Sequence, residues 1–139
     1  MNPASPTPDT VEYWAGLRRH ELLLQCCASC GALQCPPRPG CGACAGATFT
    51  WQRAAGLGRL ESYTLVQRAV SAAYAVPFML VLVRLQEGPM IMSTLILPAA
   101  LMDPRLPQTV AVSVGVPVEV VFEDRSDTLT VPRFQLKVP

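Results

Sequence analysis

Cys27-Ala28-Ser29-Cys30-Gly31 and, further on, Cys41-Gly42-Ala43-Cys44 decide how the rest of the chain reads. Two thiol pairs, each spaced by two residues and joined by a ten-residue loop, suit a tetrahedral zinc ion, because each pair can turn both sulfurs inward while the loop spans the metal. Gly31 after the first pair and Gly42 inside the second fit tight turns with positive φ that aim backbone N–H groups at thiolate sulfur. Pro36, Pro37 and Pro39 stiffen the loop between them. The expectation is one structural zinc per chain held by Cys27, Cys30, Cys41 and Cys44, set against a disulfide pair or free core thiols. Four sulfur ligands close the coordination sphere, so this zinc holds structure together and keeps no position for a catalytic water.

Six cysteines leave Cys26 and Cys35 over. Using Cys26 in place of Cys27 would lose the two-residue knuckle spacing, so both spares are expected as small, buried hydrophobes. His20, the one histidine, stands close to the first pair but beside four better ligands and is expected on the surface.

Around this stretch, 139 residues with half of them apolar can bury one moderate core, or a small barrel with a metal-stapled appendage. The formal charge is +1 and no basic run appears, which disfavours nucleic acid as a partner. Ten of the eleven basic residues are arginine, suited to bidentate pairing with carboxylate or phosphate, although a GC-rich genome also substitutes arginine for lysine. The proline-rich start, Met1 to Pro8, has no signal pattern, and no apolar stretch approaches the ~18–20 residues of a membrane span. With reduced thiols, these features place the protein in the cytoplasm. A mean hydropathy of +0.31 is high for so small a chain and points to apolar surface covered by a partner.

Upstream of the thiols, Asp9 and Glu12 read as an N-cap and its return partner, opening a short helix with Val11, Trp14, Ala15 and Leu17 on one side and Gly16 weakening its last turn. Glu21 to Gln25 is extended. Downstream, Ala45 to Thr48 is a small-residue hinge, Phe49-Thr50-Trp51 alternates as a strand, and Ala54 to Gly58 is a turn. Further strands are expected at Arg59 to Arg68, Phe78 to Leu85, Met90 to Leu97, Val110 to Val114, Val116 to Phe122 and Thr128 to Leu136, the last with Pro132 at an edge. Gly88-Pro89 and the acidic Glu123-Asp124 read as turns, and Ser71 to Ala75 as a loop carrying Tyr74. Such strands argue for a mainly β chain with a small antiparallel barrel or sandwich. The division expected is a disordered stretch over 1–8, helix plus zinc ribbon over 9–48, and barrel over 49–139.

No catalytic constellation assembles from these residues. There is one histidine, no Gly-x-Ser-x-Gly elbow, no glycine-rich phosphate loop before a helix, and the carboxylates are scattered. The sequence therefore favours a binding or accessory module over a self-sufficient enzyme.

In order, Trp14-x-Gly16-Leu17, Glu21-Leu22, Cys-x-x-Cys-Gly, Pro36-Pro37-Arg38-Pro39, the second Cys-x-x-Cys, Trp51, Gly56-x-Gly58-Arg59, Ser62-Tyr63-Thr64, Pro77-Phe78, Gly88, Val118-Glu119-Val120 and Phe122 resemble the acyl-CoA-associated zinc-ribbon plus OB-fold family, long catalogued as a domain of unknown function. The resemblance covers about residues 11–136. It departs from the family at Cys26, where a basic residue is common, and at Cys35, where an aromatic is common. It implies an N-terminal helix and rubredoxin-like zinc ribbon followed by a five- to six-stranded OB-fold barrel. It also implies an accessory subunit paired with a thiolase-superfamily protein, in a heterodimer or heterotetramer. That partner would carry the catalytic residues for aldol or Claisen cleavage of an acyl-CoA, as in aldolases that shorten steroid side chains. The small subunit stabilises it and helps hold CoA. For the phosphates and adenine of CoA, the candidate contacts are Arg38, Arg59 and Arg68 with Tyr74 or Phe78 nearby. Two rivals are a partner of a hot-dog-fold enoyl-CoA hydratase and a single-stranded nucleic-acid-binding OB module.

Overall fold

The computed structural model describes residues 5–98, 101 and 112–138. A turn at Thr7–Thr10 leads into the helix: the Thr7 N–H donates to Thr10 Oγ1 at 2.9 Å and the Val11 N–H to the Thr7 carbonyl at 2.9 Å. Helix α1 follows over Val11–Arg18, with Thr10 rather than the expected Asp9 at its N-cap and no side-chain cap. The Thr10 hydroxyl is already committed to the turn, and Glu12 reaches Arg19 at 3.2 Å instead of returning to the cap. The buried face is Tyr13, Gly16 and Leu17, not the stripe expected from Val11; Val11 is 55% exposed. Gly16 is where the helix backbone lies against the next strand, since a Cβ there would sit 2.6 Å from the Leu23 side chain.

Strand β1 (Leu23–Cys27) runs antiparallel between β2 (Leu33–Gln34) and β3 (Phe49–Arg53), making the three-stranded ribbon sheet. Phe49–Arg53 pairs with β1 residue by residue and so belongs by hydrogen bonding to the ribbon, not to the barrel where its position after Cys44 suggested it. Residues 54–56 link the ribbon sheet to the first barrel strand. There the Ala54 N–H bonds the Leu22 carbonyl and the Ala55 N–H the Glu87 carboxylate.

The barrel consists of β4 (Leu57–Val66), β5 (Phe78–Leu85), β6 (Met90–Ile96), β7 (Pro117–Ser126) and β8 (Leu129–Leu136), closed in the order β4-β5-β6-β8-β7. This is a five-stranded Greek-key barrel of the OB type. Four of its five contacts are antiparallel as expected; β6 with β8 is parallel and short, pairing Leu95 with Phe134 and Ile96 with Gln135. Pro132 has no N–H to extend that ladder, and the Ser93 hydroxyl bridges to its carbonyl at 2.8 Å instead. The expected strand Val110 to Val114 is only partly described: 110 and 111 lie outside the described residues, and Val112 to Val114 lead into a turn at Gly115, φ 90°, outside any strand.

Alternation along β5 sends Met79, Val81, Val83 and Leu85 inward to meet Leu60, Ile91, Leu95, Val118 and Phe134, all buried. Each such side chain contributes about 1.5–3 kcal/mol on burial. Tyr13, Leu17, Leu22, Leu24 and Cys35 join the same cluster, so helix, ribbon and barrel share one core. Glu123 and Asp124, expected in a solvated turn, lie inside β7. Asp124 accepts from Thr130 Oγ1 at 2.7 Å and pairs with His20 Nε2 at 3.0 Å. The His20 ring also stacks on Phe122, centroids 5.3 Å apart, and thereby fastens the link between α1 and β1 to the barrel. No helix among the described residues is long and apolar enough to cross a membrane.

Candidate functional site

Cys27 ends β1 and Cys30 follows in a tight turn; Cys41 and Cys44 repeat the arrangement beyond the proline loop. One ligand atom from each lies within 4.8 Å of all the others. Each knuckle closes the same way: the residue after its second cysteine is left-handed and returns its N–H to the carbonyl of the first. Gly31 (φ 75°) bonds the Cys27 carbonyl at 2.8 Å, and Ala45 (φ 62°) bonds the Cys41 carbonyl at 2.9 Å. The sequence suggested Gly42 for the second left-handed position; Ala45 takes it, at a strain of about 1–2 kcal/mol for a residue with a Cβ.

Backbone N–H groups converge on the sulfurs. Ala43 donates to Cys41 Sγ and Gly46 to Cys44 Sγ, each at 3.4 Å. The Cys27 thiol is drawn down to about 6, first by the N–H of Cys30 and then by that of Ser29, and Cys41 is lowered by the N–H groups of Cys44 and Ala43. Cys30 moves the other way, to about 12: the Ala32 N–H lowers it but is outweighed by Cys44, burial and Cys41. Four sulfurs this close cannot all ionise against one another, and a divalent cation at their centre is what reconciles them. Donor type, number and spacing all fit zinc.

A glutamine pair sets the knuckles against each other. Gln25, 2% exposed, accepts through Oε1 from the Arg38 N–H at 2.8 Å and from Gln34 Nε2 at 2.7 Å; Gln34 Oε1 in turn accepts from the Gly42 N–H at 3.2 Å. The proline loop is thus tied to β1 and to the second knuckle. Sequence reasoning missed this pair, although a glutamine at the end of Leu22-Leu23-Leu24 was its signal. Of the spare thiols, Cys35 is buried in the core as expected, its pKa raised to about 12 by burial. Cys26 is only half-buried and points to the Gly31 carbonyl at 3.7 Å.

The five candidate CoA contacts do not converge. Arg38 is exposed on the ribbon loop, and Arg59 holds the Gly115 carbonyl at 2.9 Å in a cleft with Leu57, Arg84 and Lys137. Arg68 is exposed in the β4–β5 connection, and the Tyr74 and Phe78 rings, 6.1 Å apart, line a different groove of about 650 Å³ with Val66, Leu80, Arg125 and Arg133. Arg125 and Arg133 were not singled out in the sequence, because their shared partner Glu123 read as part of a turn. Arg125 Nε donates to Glu123 at 3.1 Å and Arg133 Nη1 at 2.7 Å.

Two family models cover most of the chain: residues 14–50 match the ChsH2 rubredoxin-like zinc ribbon domain, and residues 51–123 match the ChsH2 C-terminal OB-fold domain. Among curated proteins, the chain is 29% identical over 94% of its length to a probable enoyl-CoA hydratase alpha subunit of Thermomonospora curvata. It is 28% identical over 91% of its length to the 3-oxo-4,17-pregnadiene-20-carboxyl-CoA hydratase alpha subunit of Mycobacterium tuberculosis. It spans only 38% and 37% of those two proteins. Among solved structures, a chain of the Ltp2-ChsH2(DUF35) aldolase superposes with a TM-score of 0.81 at 27% identity, covering 99% of this chain and 100% of that one. A DUF35-family protein of unknown function from Sulfolobus solfataricus, 16% identical with a TM-score of 0.62, shares the fold over 94% of this chain and 86% of its own.

Proposed function

This chain belongs to the ChsH2 family, a rubredoxin-like zinc ribbon joined to an OB-fold domain, and on that premise we propose that it is the accessory subunit of an acyl-CoA aldolase. The observation that carries this is the end-to-end superposition on a chain of the Ltp2-ChsH2(DUF35) aldolase. In this role Cys27, Cys30, Cys41 and Cys44 hold one zinc, which supplies structure and leaves all four positions filled by sulfur. The reaction is aldol or Claisen cleavage of a carbon–carbon bond in a CoA thioester, performed by a larger thiolase-superfamily partner in the cytoplasm. A steroid side chain is the favoured acyl group, in keeping with the pregnadiene-carboxyl-CoA named for one relative. Of the candidate CoA contacts, Tyr74 and Phe78 line one groove, and Arg38, Arg59 and Arg68 are not among its lining residues.

A second reading, partnership with an enoyl-CoA hydratase, is favoured by the names of both curated relatives, of which this chain matches the lesser part. Under either reading the catalytic residues would belong to the partner and not to the ribbon and barrel. The single-stranded nucleic-acid module has no support from the near-neutral charge, and a flat oligonucleotide titration removes it.

Co-expression with a thiolase-superfamily protein encoded beside it tests the proposal. A stable complex whose CoA-thioester cleavage needs both chains is expected. A large subunit fully active by itself refutes the accessory role, and hydration without cleavage transfers the role to the second reading.

A further inference from the structure

We propose that the outer face of β5 and β6 is where the larger subunit docks, through an apolar surface whose edge presents a carboxylate to Arg125 and Arg133. The inference rests on the accessory-subunit role given above and adds its location and chemistry.

A strand with one face on a core and the other in water alternates apolar with polar, whereas one covered on both faces reads as an apolar run. Phe78-Met79-Leu80-Val81-Leu82-Val83-Arg84-Leu85 is such a run. Its odd positions fill the barrel, and its even positions, Leu80 and Leu82, face outward and are half-buried. Register sets Leu82 beside Met92 and Arg84 beside Met90. Met92 is 64% exposed, Met90 and Ile96 about two-fifths, so the apolar surface continues across β6. Neighbouring β4 is polar on its outside, with Glu61, Ser62 and Thr64 exposed. Helix α1, the one helix among the described residues, packs on β8 and β1, and its Tyr13 and Trp14 border this face in a groove shared with Met92 and Thr94. Two methionines at its centre suit a surface that must mould to another protein.

The rim of the patch specifies the occupant. Thr94, beside Leu80 in register, accepts from Arg133 Nε at 2.8 Å, which brings the guanidinium to the edge of the patch. One carboxylate, Glu123, serves both Arg133 and Arg125, so the cluster carries an excess positive charge. The terminal nitrogens of Arg125 have no partner among the described residues. A guanidinium with free parallel donors at an apolar margin complements a carboxylate. A second copy of this chain would bring the same positive rim with its carboxylate already engaged, so the complementary surface is that of a different protein.

The test uses the complex of the full chain with its large subunit, reconstituted by co-expression, and measures dissociation constants by sedimentation. Met92→Glu and Arg125→Glu alter exposed side chains; Met92→Glu, in the apolar part, is expected to weaken the complex by about thirtyfold or more, and Arg125→Glu, a charge reversal at the rim, by about fivefold or more with a slower association rate. Gln52→Glu, exposed on the ribbon sheet, is expected to leave it unchanged. Melting temperatures of the separate variants within a degree or two of the parent, about the scatter of neutral surface changes, establish that the fold is intact. Parent-like affinity for both Met92→Glu and Arg125→Glu overturns the location while leaving the accessory role standing. Equal weakening by Gln52→Glu overturns it as well, and absence of any complex with the unaltered chain overturns both.

Discussion

Stripping the metal, by a strong chelator at neutral pH or by Cys27→Ser, is expected to open the ribbon while the barrel stays closed. Between Ala28 and Gly46 only Cys35 and Cys41 are buried. Ordering each backbone residue costs about 1–2 kcal/mol, and two buried thiols with a handful of hydrogen bonds, each worth about 1 kcal/mol net, do not offset it. Zinc ligation supplies about 10–16 kcal/mol in small metal-folded domains, enough to carry the segment. Leu60, Val81, Val83, Leu95, Val118 and Phe134 belong to the one core shared with Tyr13, Leu17, Leu22 and Leu24, and that core includes none of Cys27, Cys30, Cys41 and Cys44. Hydrogen exchange read by mass spectrometry separates the two parts. The N–H groups of Gly31 and Ala45, bonded to the Cys27 and Cys41 carbonyls, should lose protection by a thousandfold or more, since about 4 kcal/mol suffices for that. Peptides of β5 should keep theirs. Elemental analysis of the untreated protein should give about one zinc per chain, as four sulfurs in one cluster require. Undiminished knuckle protection in metal-free protein would refute the structural role. Parallel loss in β5 would refute the expectation that the shared core outlasts the opening of the knuckles.

Gly58→Ala should lower Tm by several degrees: a Cβ there would lie 2.6 Å from the Arg84 carbonyl oxygen, which is backbone and cannot swing away, and such overpacking costs about 1–3 kcal/mol. An unchanged melting curve would show that β4 and β5 are not so closely apposed. Glu123→Gln tests the rim cluster through pH. Burial pushes the Glu123 carboxyl up, but the Arg133 and Arg125 guanidiniums outweigh it and hold the group below its ordinary 4.5. A depressed folded pKa gives stability that is present above the unfolded value and fades as pH falls through the folded one. The parent should therefore melt above Glu123→Gln near pH 7, modestly because the cluster is part-exposed, and the gap should close on acidification below 4.5. Comparing the two proteins cancels zinc loss, which both share; a gap that persists in acid would exclude ion pairing as its source.

Most of the fold could be read from local chemistry. The knuckle spacing stood in the sequence because metal geometry acts over a few residues, and β5 was placed at its observed ends because an apolar run bounded by Pro77 and Gln86 leaves little choice. What escaped was decided by partners distant in sequence. Phe49–Arg53 joined the ribbon because β1 offers it a five-residue ladder, a fact no window around Trp51 contains. Asp9 lost the cap to Thr10 through a turn with Thr7. Glu123 and Asp124 looked like a solvated turn because two acids in succession usually are one. Within β7 they point to opposite faces, one to Arg133 and the other to His20, 104 residues away. The candidate CoA residues stand on separate surfaces for the same reason: which groove Arg59 or Tyr74 lines depends on strand pairings that no local window contains.

The same logic explains why the apolar outer side of β5 carries more weight than any single exposed residue. Scattered surface hydrophobes are ordinary in a soluble protein, but Leu80, Leu82, Met90, Met92 and Ile96 lie on two adjacent strands of a closed barrel, while neighbouring β4 exposes Glu61, Ser62 and Thr64. A barrel closes its own hydrogen bonds and gains nothing internally from outward-facing methionine or leucine. Those side chains add to the free energy of the molecule only when something covers them. A mean hydropathy of +0.31 in so small a chain is in keeping with an outer barrel face that takes up apolar side chains as well as the core, which is what the proposed docking surface requires.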